Sequence, residues 1–209
     1  MKKEQLLEGM RGRIKDSVIE AMYHVPRELF LPEHMRWKAY DDTPLPIGEN
    51  QTISAPHMVA IMCDILDIAK GMKILEVGGG SGYHAAVMAV LAGPQGHVYS
   101  VERMPELVAL ARSNLESAGI ENVTVIEADG SIGLLEHAPY DRISVAATAP
   151  HVPEPLKQQL KVGGKMVLPV GRDYQELILV KRKNGFTVEE KMGVIFVPLI
   201  GKEGFKEQT

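Results

Sequence analysis

The run Leu75-Glu76-Val77-Gly78-Gly79-Gly80-Ser81-Gly82-Tyr83 puts four glycines in five positions, after a short apolar strand and before a helix predicted over about Gly82 to Ala92. Glycine at a strand-to-helix turn permits positive φ and lets a ligand come close to the backbone. A tight turn alone does not call for so many. The dinucleotide fingerprint requires Gly-x-Gly-x-x-Gly. Counted from Gly78 and Gly80, its third glycine falls on Tyr83. The spacing found, Gly78-x-Gly80-x-Gly82 with Glu76 ahead of it, suits a pyrophosphate less well.

The rhythm around this loop sets the fold class. Lys73–Val77, His97–Val101, Val123–Glu127 and Arg142–Ala146 are short apolar strands, with a helix predicted over about Pro105 to Ser117 between the second and third. Alternating strands and helices imply βαβ units, a parallel sheet and right-handed crossovers. A helix over Glu154–Leu160 and strands over Lys165–Pro169, Glu176–Arg182 and Phe186–Phe196 follow. Asn184-Gly185 marks a hairpin, so the sheet is expected to end in an antiparallel pair. Upstream, Leu6, Leu7, Met10, Ile14, Val18, Met22 and Val25 recur at three- and four-residue steps and predict one helix over about 4–25. Tyr40–Ser54 reads as an irregular loop broken by proline and glycine, and loops of that length are often functional. The expectation is an α/β, doubly wound, Rossmann-like fold with a mostly parallel sheet, a C-terminal antiparallel hairpin and an N-terminal helical extension. The 209 residues are room for a single domain, with 1–70 as extension and 71–209 as α/β core.

Composition narrows the partners. Lysine and arginine number 23 against 27 acids, a net charge of −4, which gives no general footprint for a nucleic acid backbone. No apolar stretch approaches the roughly 18 residues of a membrane span. Cys63 is the single cysteine, which excludes an intrachain disulfide and suits a reducing compartment. A cytoplasmic monomer, without nucleic acid or membrane partners, is expected.

Two acids follow the glycine loop at the next strand ends. Glu102 ends the second strand, 24 positions past Gly78, where a carboxylate can accept from both hydroxyls of a ribose. Asp129-Gly130 follows the third strand. Asp129 could receive an adenine amino group there, although Asp-Gly is equally a turn pair. The three strand tips line the crevice where open α/β sheets bind ligands.

The glycine spacing resembles the first motif of the S-adenosylmethionine-dependent methyltransferases, whose ligand carries an amino-acid tail and no phosphate. That loop is shared across a superfamily and names no substrate. The segment Tyr40-Asp41-Asp42-Thr43-Pro44-Leu45-Pro46-Ile47-Gly48-Glu49-Asn50-Gln51-Thr52-Ile53-Ser54-Ala55-Pro56-His57-Met58-Val59-Ala60 does. It resembles the signature of the protein L-isoaspartate O-methyltransferases, and Gln51-Thr52-Ile53-Ser54 is its most specific part. The likeness extends through Pro26–Pro32, Ser100–Arg103, Asp129–Ser131, Ala138–Ile143 and Val197–Leu199, nearly the whole chain.

The resemblance implies a repair enzyme with S-adenosylmethionine as cofactor and isoaspartyl-containing proteins and peptides as substrates. A methyl group passes to the free α-carboxylate of an L-isoaspartyl residue, giving a methyl ester and S-adenosylhomocysteine. By motif matching, Ser54 takes the active-site serine. Thr52, Ile53 and His57 fall in the segment that contacts cofactor and substrate, while Glu76, Gly78, Gly80, Glu102, Asp129 and Gly130 take cofactor positions. The threonine of Val145-Ala146-Ala147-Thr148-Ala149-Pro150 is displaced from the family's usual place, and Gly79 stands where Thr or Ser is common.

The chemistry makes few demands. A carboxyl group with a pKa of about 4 is ionised near neutrality, and a sulfonium methyl is already electrophilic. No base, metal or covalent intermediate is required; alignment and water exclusion remain. Ser54 fits as a residue that aims the carboxylate. It reads equally as the N-cap of a helix running to about Asp67 with Pro56 in its first turn, and His57 reads equally as a plain first-turn residue. Two alternatives stand beside the repair enzyme. One is a methyltransferase for a small molecule or nucleic acid, against which Ala147-Thr148-Ala149-Pro150 lacks the Asn/Asp-Pro-Pro-aromatic motif of base methylation. The other is a module that binds the cofactor without catalysis.

Overall fold

The computed structural model describes residues 2–207. Two helices, α1 (Lys3–Glu8) and α2 (Asp16–His24), lead through short helical turns into a hairpin, β1 (Leu45–Gly48) and β2 (Gln51–Ile53). Then come α3 (Pro56–Leu66), β3 (Lys73–Val77), α4 (Tyr83–Ala92), β4 (His97–Glu102), α5 (Pro105–Ser117) and β5 (Val123–Glu127). The chain closes with β6 (Tyr140–Val145), α6 (Glu154–Gln159), β7 (Leu160–Gly171), β8 (Gln175–Arg182) and β9 (Phe186–Val194).

The main sheet has seven strands in the order β5-β4-β3-β6-β7-β8-β9. Its first five neighbours run parallel, and β7, β8 and β9 pair antiparallel. The chain starts the sheet at β3, builds outward through β4 and β5, then returns to the other side of β3 with β6. Such a reversal opens a crevice at the carboxyl ends of the strands.

Side chains alternate across β3. Ile74 packs into the core with α2, α3, α4 and α5, whereas Leu75 and Val77 join the core on the opposite face with Leu156 of α6. Glu76 therefore shares the face of Ile74, the one covered by α4. Helix α4 is apolar around its whole circumference, and Tyr83–Ala89 and Ala92 are all buried, because α2 covers the side turned away from the sheet. The core containing Leu6, Val18, Met22 and Leu66 is continuous with that of Ile74 and Val98, so the N-terminal segment and the sheet share one apolar interior.

Three sequence expectations change. The helix expected over 4–25 is broken between Gly9 and Ile14, where Gly12 takes a φ of +77°. Met10 stays buried in the connecting turn, which preserves the apolar rhythm without the helix. The Tyr40–Ser54 loop contains the β1–β2 hairpin, turned by Glu49 and Asn50 at φ of +50° and +54°. Two consecutive left-handed residues make a turn whose twist matches the paired strands. The terminal antiparallel pair is a three-stranded meander, with the expected Asn184-Gly185 turn joining β8 to β9.

Candidate active site

The glycine loop turns on alternate residues. Gly78, Gly80 and Gly82 lie at φ of +88°, +53° and +87°, so the spacing seen in the sequence is the spacing of left-handed positions. Gly78 and Gly79 donate their N–H groups to the Val101 carbonyl at 2.9 and 3.3 Å, tying the loop to β4. The Asn114 amide holds it from α5 through the Ser81 carbonyl at 3.0 Å. A side chain at Gly79 would run into Ser100 Oγ. Gly130 closes on β3, where an added Cβ would lie 2.6 Å from Val77 Cγ1.

Glu102 is buried at the tip of β4. Its Oε2 accepts the Gly80 N–H at 3.0 Å, and its Oε1 accepts those of Arg103 and Met104 at 2.7 and 3.1 Å. A carboxylate offers about four lone-pair sites, so one remains, on Oε2. Glu102 can take one ribose hydroxyl as it stands; taking both would require release of a backbone N–H.

Glu76 is fully buried, and Ser100 donates to its Oε2 at 2.5 Å. Its Oε1 has no hydrogen-bond partner and lies 3.8 Å from Nδ1 of His84, whose Nε2 is also unpartnered. Burial pushes the Glu76 carboxyl up to about 8, against the pull of the Ser100 hydroxyl, and Glu102 pushes it further the same way. Burial lowers His84 to about 4. Neutral Glu76 favours the fold, so stability is lost as pH rises from the ordinary 4.5 through about 8, whereas the His84 contribution is lost as pH falls from 6.5 to about 4. Between pH 6.5 and 8 only Glu76 of this pair acts. In thermal melts of the ligand-free protein over that window, wild type is expected to lose at least about 1 kcal/mol relative to Glu76→Gln; parallel curves would contradict the buried carboxyl.

Arg27 organises the segment before the sheet. Its guanidinium is wholly buried, with Nε donating to the Ala39 carbonyl and Nη2 to the Ser54 carbonyl, each at 2.8 Å. It lies 4.8 Å from the ring centroid of Tyr83, and Phe30 meets the same ring edge-on at 5.5 Å. Burial lowers the guanidinium from its ordinary value, opposed first by Tyr83. Ser54 does not cap α3. Ala55 occupies the N-cap position without a side-chain bond, and Asp42 Oδ1 accepts the His57 N–H at 2.9 Å instead. The same oxygen lies 2.9 Å from His57 Nδ1.

Two cavities meet at β2. The inner one is lined by Gln51–Ser54, Glu76–Ser81, His84, Val101–Met104, Gly130, Ala146, Ala147 and Val197–Ile200. The outer one is lined by His57, Met58, Asp173–Gln175 and Met192–Val197, among others. Thr52, Ser54, Ala146 and Val197 line both. The structure therefore gathers Thr52, Ile53, Ser54, Glu76, Gly78, Gly80, Glu102 and Gly130 around one space. His57 stands on the outer side. Asp129 lies beside the inner cavity without lining it, its Oδ1 accepting from Ser131 and its Oδ2 from the Lys202 N–H at 2.8 Å. It thereby anchors the C-terminal segment whose residues Val197–Ile200 form a wall. Thr148 is buried away from both cavities and donates to the Gly171 carbonyl at 2.9 Å, so its displacement in sequence is a matter of packing.

The family model for protein-L-isoaspartate(D-aspartate) O-methyltransferase matches residues 1–204. The chain belongs to that family. Similar relatives include the protein-L-isoaspartate O-methyltransferase of Methanothrix thermoacetophila, 64% identical over 99% of this chain and 99% of its own length. Protein-L-isoaspartate O-methyltransferase 1 of Archaeoglobus fulgidus is 53% identical over 98% and 96%. Among solved structures, a protein-L-isoaspartate O-methyltransferase superposes with a TM-score of 0.87 at 32% identity, over 97% of this chain and 67% of that one. One from Plasmodium falciparum, in complex with S-adenosyl-L-homocysteine, gives 0.86 at 30% identity over 96% and 99%. The family is S-adenosylmethionine-dependent, and this chain has its Rossmann-like fold.

The orphaned Glu76 Oε1 and His84 Nε2, beside a backbone turned outward by three left-handed glycines, fit a ligand with a charged amino-acid tail. Sequence reading gave no role to Arg27, His84 or Ser100. Arg27 and Ser100 lay inside the Pro26–Pro32 and Ser100–Arg103 likenesses, their one signal; His84 acquires meaning only when α4 is laid against β3.

Proposed function

We propose that this chain methylates the free α-carboxylate of L-isoaspartyl residues in damaged proteins and peptides, with the donor in the inner cavity and the isoaspartyl residue reaching it from the outer one. The observation that carries the reading is the wall between the cavities: Thr52 and Ser54 line both, at the end of a strand held by a buried arginine. S-adenosylmethionine, when bound, supplies an electrophilic methyl carbon on a sulfonium.

The chain's own residues then have three tasks. Glu102, Gly78, Gly80 and Gly130 hold the nucleoside against the strand tips, and Asp129 secures the C-terminal wall. Ser54 orients the carboxylate from the hydroxyl side without becoming a nucleophile. Apolar Ile53, Val197 and Leu199 exclude water from an oxygen that loses its charge as the methyl arrives, which favours transfer. His57, held by Asp42, belongs to the peptide side. The net charge of −4 is in keeping with a protein rather than a nucleic acid substrate, and the reading takes the enzyme as a cytoplasmic monomer. No helix among the described residues is long and apolar enough to cross a membrane.

Incubation with methyl-labelled S-adenosylmethionine tests the reading. An isoaspartyl peptide is expected to gain base-labile label and the matched aspartyl peptide none; equal inertness of both would reject the substrate. Ser54→Ala is expected to lower kcat about tenfold or more through lost alignment, with S-adenosylhomocysteine affinity kept. Unchanged turnover would remove Ser54 from the reaction.

A further inference from the structure

Arg27 is a cation enclosed by the protein with no acid bonded to it. Its Nε and Nη2 serve the backbone carbonyls of Ala39 and Ser54, each at 2.8 Å, and its Nη1 is buried without a partner. The acids of the same segment are engaged elsewhere. Glu28 accepts from the Tyr40 hydroxyl, and Asp42 Oδ1 accepts the His57 N–H and lies against His57 Nδ1. Two carbonyls can be held by neutral donors, and burying an ion to hold them carries a desolvation cost of its own. A guanidinium stays ionised even there.

The charge lies directly behind the wall between the two cavities. Ser54, whose carbonyl it holds, lines both cavities, and Tyr83, whose ring centroid is 4.8 Å away, lines the inner one. The cavity surfaces themselves are acidic. Glu76 and Glu102 line the inner cavity and Asp173 the outer, no lysine lines either, and the one lining arginine, Arg103, is paired with Glu207 at 2.7 Å. An anion that stops at Ser54 therefore finds its cation behind the strand and not in the cavity.

We propose that Arg27 is the charge that selects a carboxylate at Ser54, holding the free α-carboxylate of an isoaspartyl residue there in preference to a neutral amide or ester of the same shape. This rests on the reading of Ser54 as the residue that meets the carboxylate, and adds what makes that spot favour an anion. One peptide unit separates Arg27 Nη2 from the Ser54 side chain, so a carboxylate bonded to that hydroxyl lies within roughly 10 Å of the guanidinium. Over that distance two charges at the edge of a protein interior attract by about tenfold in affinity. Asp42, the acid that acts on Arg27 through space, stands behind His57. The stretch from Ser54 to His57 thus has a positive and a negative end, and the carboxylate comes to rest at the Ser54 end. Because Arg27 acts through one residue, it attracts the carboxylate without donating to the oxygen that must attack the methyl group. The methyl ester is neutral and loses the attraction, which favours its departure.

Two peptides of one sequence separate this from a structural role, one with the isoaspartyl α-carboxylate free and one with it converted to the amide. Each is titrated into the complex with S-adenosylhomocysteine, which brings no sulfonium charge of its own. Wild type is expected to prefer the acid. Arg27→Gln, which keeps a neutral donor for the Ser54 carbonyl, lowers that preference about tenfold, whereas Arg27→Lys, which keeps the charge, holds it within about twofold. Asp42→Asn, which keeps an oxygen for the His57 N–H, raises the preference with the buried arginine intact. An acid-over-amide preference unchanged in Arg27→Gln, or unchanged in Asp42→Asn where Arg27→Gln does not fold, overturns the proposal while leaving the methyltransferase reading standing. Failure of the wild type both to bind the acid peptide and to methylate it overturns both.

Discussion

Glu102→Ala is expected to weaken S-adenosylhomocysteine binding at least tenfold, and to do so by two routes. The direct route is the ribose hydroxyl accepted at the free site on Oε2, a charge-assisted hydrogen bond of roughly 1.5–3 kcal/mol. The indirect route is the glycine loop. The Glu102 carboxylate takes the N–H groups of Gly80, Arg103 and Met104, so its removal releases the Gly80 end of the loop, leaving Gly78 and Gly79 on the Val101 carbonyl, and frees the start of α5. Each N–H left unpaired costs about 1–3 kcal/mol where water does not reach it. The variant should therefore melt lower as well as bind worse, with the loss of affinity persisting at temperatures well below its melt. Glu102→Gln, which keeps one acceptor and misplaces a donor, should fall between. Calorimetric titration checks both; unchanged affinity in Glu102→Ala would remove the ribose assignment.

Arg27→Ala should have the largest effect on stability. The side chain is fully buried, serves two carbonyls and lies against Tyr83. Its truncation strands the Ala39 and Ser54 carbonyls and opens a cavity, at a cost of roughly 3–5 kcal/mol. Arg27→Lys retains the charge but not the fork that spans the two carbonyls, and is the more informative variant. It should fold, bind S-adenosylhomocysteine nearly as wild type, and methylate an isoaspartyl peptide with reduced kcat, because the residue it releases is Ser54 and not the glycine loop. Denaturant melts and steady-state rates test the two halves separately. Full activity in a stably folded Arg27→Lys would show that the Ser54 backbone needs no such hold.

How much could be read beforehand follows from what each element depends on. The parallel strands were legible because each is a short apolar run between turn residues, and the alternate glycines were legible because left-handed backbone has a residue preference. The β1–β2 hairpin was not, since Glu49-Asn50 takes the place of the usual Asn-Gly and its strands are only four and three residues long. The break in the first helix escaped because Met10 keeps the apolar period through the turn. At the site, Thr52, Ser54, Glu76 and Glu102, picked out by family motifs, line one cavity. The cap of α3 was misplaced, because the capping carboxylate is Asp42, fifteen residues before the N–H it serves. His57 and Asp129 do not line that cavity: His57 lines the outer one, and the hydrogen bonds of Asp129 tie it to the C-terminal segment. Such partnerships are made by tertiary contact, and no local spacing announces them.

A crystal of the protein with S-adenosylhomocysteine and an isoaspartyl peptide would test the arrangement directly. The nucleoside should lie between the glycine loop and the tips of β4 and β5, with its sulfur directed past Thr52 and Ser54. The peptide's free carboxylate should enter from the side of His57 and Tyr174. A nucleoside bound elsewhere, or a peptide carboxylate remote from Ser54, would contradict the division of the site into inner and outer cavities on which the account stands.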